Sequence, residues 1–404
     1  MADAPATGSD VRSDSSAGTL LMVEQGGRGG EADYTAALTG ALAAQGWNVM
    51  LATAGDHLYE PAVGVEVHRV FHYVRGHSPL ARAVRRRRLG WIANGLRFLA
   101  AVPRLRRLAN RADVVHVQGW ERLPLGVLAV AGMRRPGTPI VQTWHNTFER
   151  RSSLARTNRA LRRLLGRMTD ATIVHTQADL ARIPAELAPR TVVIPHGEYG
   201  GLARTGAAAD RGDARTELGI AADAPVTLMF GQLRRDKGLD QLLDAVARLP
   251  GLVLLIGGEE IGALAANREA LDRQELAGRV IVREGFLTMS EAAKLFAAAD
   301  TVVLPYEVAS QSGVLLLAYG FSRPVIVYPV GGLTEAVVDG ETGWVCKRSD
   351  PDALLEALQG SVAGGWQECL RRGAAGARLA AERFGWPAIA ERSGELYRDL
   401  LARV

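Results

Sequence analysis

The sequence predicts an α/β protein with two doubly wound, parallel-sheet domains in tandem. Three observations point there. Short apolar runs of strand length alternate with helical stretches along nearly the whole chain. A small, polar, aperiodic stretch, residues 201–213 (GLARTGAAADRGD), interrupts that alternation once, after which it restarts. The 404 residues, with 48% apolar content and 45 glycines, are too many for one ordinary core and suit a fold rich in tight strand-to-helix turns.

The first half opens with an apolar run at Thr19–Glu24, a glycine-rich loop Gly26-Gly27-Arg28-Gly29-Gly30, and a helix from Asp33 to Ala44 in which Tyr34, Leu38 and Leu42 recur every four residues. Asn48–Thr53 is the next strand, giving a βαβ start with the glycine loop between strand and helix. Further strands are expected at Val114–Val117, Ile140–Thr143, Ala171–His175 and Thr191–Ile194. After the linker come strand Val226–Phe230, helix Asp240–Arg248, strands Val253–Ile256 and Val280–Arg283, helix Glu291–Ala298, strand Thr301–Leu304, and a last amphipathic helix from Phe384 to Leu401. The domain boundaries that follow are a disordered tail 1–18, a first domain 19–200, the linker 201–213, a second domain 214–384 and a terminal helix 385–404.

Composition excludes several classes. No run of 18 apolar residues exists, so no membrane span is expected. The N-terminal residues are small and polar with no apolar signal core, which leads us to expect a cytoplasmic protein. Cys346 and Cys369 lack metal-ligand spacing and read as reduced thiols. Charge is unevenly shared: residues 1–199 carry 26 Arg and no Lys against 16 acidic residues, net +10, and the remainder is net −5. Arg85–Arg88 with Arg97, Arg104, Arg106 and Arg107, and a second cluster from Arg150 to Arg167, make a solvated basic face or a patch for anionic lipid at the inner face of a membrane or for a phosphorylated acceptor. Nucleic acid fits poorly, because no aromatic residues interleave with the arginine run to stack bases.

Chemistry concentrates in residues 301–343. Gln311-Ser312-Gly313 precedes the apolar helical run Val314–Phe321. A Ser-Gly step opening a helix leaves amides, including those of Gly313 and Val314, unpaired and favoured by the helix dipole for an anionic phosphate. Gly331-Gly332 forms a second loop where backbone can approach a ligand. In FGQLRRDKG, Arg234 and Lys237 project from the loop after a strand, suited to a pyrophosphate that gains charge as its sugar departs. Gly27-x-Gly29-x-x-Ala32 is not the dinucleotide fingerprint, and the loop is at least a tight turn. His145, in VQTWHNTFER, stands at a strand's C-terminal end, the edge where open parallel sheets bind ligands. Asn146 and Glu149 are weaker neighbours. A structural role is the safer reading for His175 and for His196-Gly197.

The segment from Pro305 through Pro324-Val325-Ile326, Gly331-Gly332-Leu333-Thr334-Glu335 and Thr342-Gly343, with Lys237-Gly238 upstream, resembles the donor half of family-4 retaining glycosyltransferases of GT-B fold. The family's paired glutamates are absent: their positions fall at about Ala309 and Leu317, and the chain has the QSGV form of the loop. The resemblance implies two Rossmann-like domains facing across a cleft, with the terminal helix crossing back onto the first. It implies transfer of a sugar from a nucleotide-diphosphate sugar, UDP favoured, to an acceptor hydroxyl on a lipid-linked, glycan or small aglycone acceptor, with retained configuration and no metal or other cofactor. His145, Arg234 and Lys237 would be catalytic. Gly29, Gly30, Gln311, Ser312, Gly313, Val314, Gly331, Gly332 and Glu335 would bind the donor. A nucleotide-sugar 2-epimerase of the same fold and a non-catalytic nucleotide-sugar binder are the alternatives.

Overall fold

The computed structural model describes residues 17–57, 60–73, 90–120, 124–145, 147, 155–199, 201 and 209–404. The Arg85–Arg88 run, Arg150, Asn146, Glu149 and residues 1–16 of the expected tail lie outside them. Internal contacts divide the chain into two units. One runs up to Gln142 and takes in Met168–Asp170 and Ser393–Val404; the other comprises Thr143–Arg167 and Ala171–Arg392.

In the first unit, β1 (Gly18–Val23), β2 (Trp47–Ala54), β3 (Val65–Phe71), β4 (Val114–Gln118) and β5 (Ile140–Thr143) follow the order β3-β2-β1-β4-β5. The β1–β2, β2–β3 and β1–β4 ladders are all parallel. The chain reverses its winding between β1 and β4, so their C-terminal ends form a switch point. β1 and β4 are buried along almost their full length, as a sheet covered on both faces requires. Three helices belong here: α1 (Gly30–Ala44), α2 (Gly90–Ala109), which carries Arg97, Arg104, Arg106 and Arg107, and α3 (Gly126–Met133). The end of the chain joins this core, where Tyr397, fully buried, meets Trp47 edge-on and hydrogen-bonds His116 Nδ1 at 2.6 Å.

The second unit contains α4 (Ala155–Met168), the parallel pair β6 (Ala171–Val174) and β7 (Thr191–Val193), and a short α5 (Gln177–Leu180) between them. Then come α6 (Arg211–Leu218), β8 (Val226–Phe230), α7 (Leu239–Ala247), β9 (Val253–Gly258), β10 (Val280–Glu284), α8 (Met289–Ala298), β11 (Thr301–Leu304), α9 (Gly313–Gly320), β12 (Val325–Val327), α10 (Leu333–Ala336) and β13 (Gly343–Val345). The six strands β8–β13 make a parallel sheet in the order β10-β9-β8-β11-β12-β13. Its switch point lies between β8 and β11. Leu228, Leu254, Leu255, Ile256, Val302 and Val303 are fully buried in its two faces. The chain closes with α11 (Pro351–Phe384), two helical stretches meeting at a non-helical Gly365, and α12 (Trp386–Leu401).

Strand expectations for Val226–Phe230 and Thr301–Leu304 coincide with β8 and β11. Four differences have local causes. Asp210 caps α6 by accepting from the Gly212 and Asp213 amides, so a helix begins inside the stretch expected to be linker. Strand β3 was missed because its burial is irregular, with Glu66 and Arg69 exposed on an edge strand. The long α11 was not foreseen, its apolar period being diluted by glycine and alanine. Phe384 ends that helix, and Gly385 with Pro387 starts the next, so the last helix begins at Trp386.

One buried ion pair ties α6 to β11. Arg215, with a 1% exposed side chain, donates through Nη2 to both Asp300 oxygens at 2.9 and 3.1 Å, and through Nη1 and Nε to the carbonyls of Ala224 and Ala298. Asp300 also accepts from the Val226 amide at 2.8 Å. Removing one partner strands the other charge. Asp300→Ala should lower the stability of this unit by about 3–5 kcal/mol in urea unfolding, while Lys294→Ala, which breaks only a surface pair with Glu217, should cost about 1 kcal/mol or less.

Candidate active site

Two loops meet at the switch point of the second sheet. The loop after β8 runs from Gly231 to Gly238, and the loop after β11 from Pro305 to Ser312. Gly238 adopts φ 70°, and a β-carbon there would overlap the Pro305 carbonyl oxygen. Gly231 (φ 106°) would place a β-carbon 3.1 Å from the Val314 side chain, a tighter than usual contact. Only glycine permits both backbone conformations and both approaches.

This packing gathers cations and amides. Lys237 Nζ lies 3.3 Å from the centre of the Tyr306 ring. Tyr306 is buried and hydrogen-bonded to Ser312, and burial raises its hydroxyl to about 12. Ser312 caps α9, its Oγ accepting from the Leu315 amide at 3.3 Å. The Gly313 and Val314 amides have no acceptor among the described residues and stand at the positive end of an eight-residue helix. Arg234 donates Nε and Nη2 to Asp236 at 3.0 and 3.1 Å, and Nη1 to Gln232 Oε1 at 3.2 Å. The structure therefore brings together Arg234, Lys237, Ser312, Gly313 and Val314, and adds Tyr306, which the sequence reading missed.

A second set of loops, after β5, β6, β7 and β12, packs onto this one through a buried carboxylate. Asp179 is 0% exposed. It accepts from Thr147 Oγ1 in the loop after β5, from Thr176 Oγ1 at 2.8 Å in the loop after β6, and from Ser310 Oγ in the loop after β11. Gly332 donates its amide to the Ser310 carbonyl at 2.7 Å and leaves no room for a β-carbon beside Thr176. Gly331, at φ 56°, lies against the Ala309 carbonyl. Glu335 lines the same region. Its two oxygens accept the Gln177 and Ala178 amides at 3.0 and 2.9 Å, so it closes the N-terminus of α5 and its carboxylate is engaged by main chain. A cavity of about 360 Å³ is bounded by His175, Thr176, His196, Gln311, Ser312 and Gly332, with Arg383 and Arg392 on its rim.

Three successive strands are each followed within three residues by a histidine, and the three rings pack in a column, tilted and edge-on to one another. His145 and His175 have ring centres 5.0 Å apart, His175 and His196 5.4 Å, and His196 and Tyr199 5.5 Å. All are at most 9% exposed. Tyr199 reaches Gly313, where an added β-carbon would stand 3.3 Å from its hydroxyl, so the column ends at the N-terminus of α9. Burial lowers His175 below the ordinary histidine value and lowers His196 to about 3, with His175 adding to the effect. Both are neutral. Trp386 lies on Gly197 and donates to the Glu198 carbonyl at 2.7 Å, fixing the last loop. The repeated strand-end histidine was the available signal for His175 and His196; each taken alone reads as structural.

Gly29 and Gly30 belong to the first unit. Gly29, at φ 74°, precedes α1, and Gly30 is its first residue. Glu24, 1% exposed, holds the preceding turn by accepting from the Gly26 and Gly27 amides and from Thr53 Oγ1. The Glu31 carboxylate lies against Gly119, bringing the ends of β1 and β4 together. Elsewhere in this unit a basin of about 700 Å³ along β3 is lined by His57, His68, Arg69, Arg104, Arg107 and Arg111. Both cysteines are free and buried, which pushes their thiols up to about 12. No three-residue His, Cys, Asp or Glu group suited to a metal occurs among the described residues, and no helix among them is long and apolar enough to cross a membrane.

Known proteins share this architecture. The sucrose-phosphate synthase of Thermosynechococcus elongatus superposes with a TM-score of 0.75 over 96% of this chain and 100% of its own, at 24% identity. HepE of Anabaena, solved with UDP-glucose, superposes with a TM-score of 0.70 over 96% of this chain and 100% of its own, at 19% identity. The fold is that of the GT-B glycosyltransferases. Residues 28–197 match the family described as Glycosyltransferase Family 4, and residues 224–363 match Glycosyl transferases group 1. A D-inositol 3-phosphate glycosyltransferase of Xylanimonas cellulosilytica is 30% identical over 94% of this chain and 93% of its own length. Its Streptomyces avermitilis counterpart is 31% identical over 70% of this chain, which spans 65% of that protein. The chain belongs to the family-4 glycosyltransferases, and it is an enzyme.

Asp33, in the first turn of α1, has its carboxyl raised from 3.8 to about 6, chiefly by burial and then by the nearby Glu24 charge. The folded state keeps this proton to higher pH than the unfolded state does. Stability of the first unit should therefore fall as pH rises from about 4 through 6, by something on the order of 2 kcal/mol. Asp33→Asn should remove that part of the slope in urea titrations repeated across this range.

Proposed function

We propose that the chain transfers a sugar from a nucleotide-diphosphate sugar to an acceptor hydroxyl with retention of configuration. The observation that carries this is the convergence of Arg234, Lys237 and the free N-terminal amides of α9 at one switch point. A diphosphate gains negative charge as its bond to the anomeric carbon breaks. Fixed cations and amides at that position stabilise the change without reorganising. The diphosphate oxygen so exposed takes the acceptor proton on the same face of the sugar. No metal is assigned a part: Arg234 and Lys237 supply the positive charge. To engage a phosphate, Arg234 exchanges its Asp236 partner for the ligand.

UDP is the favoured donor nucleotide, a choice supported by the HepE neighbour solved with UDP-glucose. His145 is assigned to the sugar, beside the loops that hold the diphosphate. The acceptor is a hydroxyl compound, in glycan or small-glycoside synthesis. The relatives' name points toward a phosphorylated cyclitol. The arginine basin along β3 favours a second reading for location, peripheral contact with an anionic membrane. Sedimentation with anionic liposomes checks it, and absence of salt-sensitive binding removes it.

A thermal-shift panel of nucleotide sugars tests the donor. A ligand at ~100 times its dissociation constant should stabilise the native state by roughly 2.7 kcal/mol. Lys237→Ala and Arg234→Ala should each weaken UDP-sugar binding about tenfold or more. His145→Ala should leave that binding nearly intact and lower turnover. Unchanged donor affinity in both cation variants would rule out the assigned phosphate grip.

A further inference from the structure

The basin of about 700 Å³ in the first unit is built on a periodic stripe of cations. Arg104, Arg107, Leu108 and Arg111 all line it. Their spacing is that of one helix face, and the last turn of α2 carries on past Ala109, because the Arg111 amide donates to the Leu108 carbonyl at 2.9 Å. Edge strand β3 supplies Arg69 and His68, and the loop after β2 supplies His57. Val70 and Leu108, 4% and 8% exposed, give the basin an apolar base.

Its charges are not balanced. Among the described residues Glu66 is the carboxylate that meets them, 3.5 Å from Arg111 Nη2 and 3.1 Å from His68 Nε2. Arg69, Arg104 and Arg107 have no hydrogen-bond or ion-pair partner among the described residues. The sequence that leads into α2, residues 74–89, adds six arginines and no acid. The helix dipole accounts for cations in the last turn of α2, but not for Arg104, more than a turn upstream of Ala109, nor for Arg69 on a strand. Like charges three residues apart on a helix face repel, and a concave wall focuses their field. An anion in the basin turns that repulsion into binding.

We propose that this basin binds a molecule carrying several phosphate groups close together, either a soluble compound or a lipid headgroup. One phosphate satisfies one guanidinium fork, whereas three unpaired forks on two elements call for several oxyanions at once. The volume falls within the roughly 300–1,000 Å³ of small-molecule sites. Such recognition goes beyond the attraction of a basic face for an anionic membrane, which needs net charge but no particular arginine. β3 is the edge of its sheet, with β2 between it and β1, so the basin stands roughly 10 Å from the switch point at β1 and β4. The assignment does not rest on the sugar transfer proposed above.

Titration calorimetry of the full chain with inositol hexakisphosphate and with inorganic phosphate checks it. The hexakisphosphate should bind in a salt-sensitive way, and inorganic phosphate at least about tenfold more weakly. Arg104→Ala combined with Arg107→Ala should weaken the hexakisphosphate about tenfold or more, and so should Arg69→Ala. Arg106→Ala removes an exposed charge from the same helix outside the basin, and should change that affinity by less than about twofold. Thermal stabilisation by UDP-glucose should be unaltered in the Arg104/Arg107 variant. Phosphatidylcholine vesicles carrying phosphatidylinositol bisphosphate separate the two sources. Sedimentation with them that the Arg104/Arg107 variant loses and Arg106→Ala keeps identifies a headgroup; calorimetric binding without sedimentation identifies a soluble ligand. A loss as large in Arg106→Ala as in the basin variants overturns the site, as does failure of both the hexakisphosphate and the vesicles to bind.

Discussion

The second unit depends on one buried carboxylate. Asp179 has no access to water, and each hydroxyl it accepts from belongs to a different loop: Thr147 after β5, Thr176 after β6 and Ser310 after β11. A buried charge without donors costs several kcal/mol, so the three loops are held at the spacing that satisfies it. Around this point further contacts involve main chain. Gly332 bonds Ser310, and Glu335 takes two amides of α5. The result is a polar floor on which the histidine column and the Ser312–Val314 amides both stand.

Sheet topology explains why these loops meet at all. In the order β10-β9-β8-β11-β12-β13 the chain winds outward in both directions from β8 and β11. The loops leaving those two strands diverge to opposite faces and open a gap at their carboxyl ends. Glycine then sets how closely the loops approach. At Gly231, Gly238 and Gly331 the backbone has positive φ and touches a neighbouring group where a β-carbon would stand. This closeness leaves the amides of α9 and the Lys237 ammonium beside the same gap.

The alternation of strands and helices was legible in the sequence because fully buried strands are short unbroken apolar runs; Val226–Phe230 and Thr301–Leu304 could be placed to the residue. Edge strand β3 and the glycine-diluted α11 were not, since neither has a clean period. In the site, Lys237-Gly238 and Gln311–Gly313 stood out through local chemistry: a cation or helix cap beside glycine. What stayed hidden was long-range pairing. Thr176 and Asp179 form a local capping pair, but nothing local shows that Asp179 also joins Thr147 and Ser310, 32 and 131 positions away. The bond from Glu335 to α5 was hidden for the same reason, since it spans 158 positions.

Trp386 and the cavity rim carry a consequence for biosynthesis. The indole that fixes the loop of His196 and the guanidinium groups of Arg383 and Arg392 come from the last part of the chain, whereas the rings they surround come from residues 175–199. Translation delivers the first set some 190 residues after the second. A nascent chain that has folded both sheets still lacks one wall of this cavity until its final two helices have emerged from the ribosome.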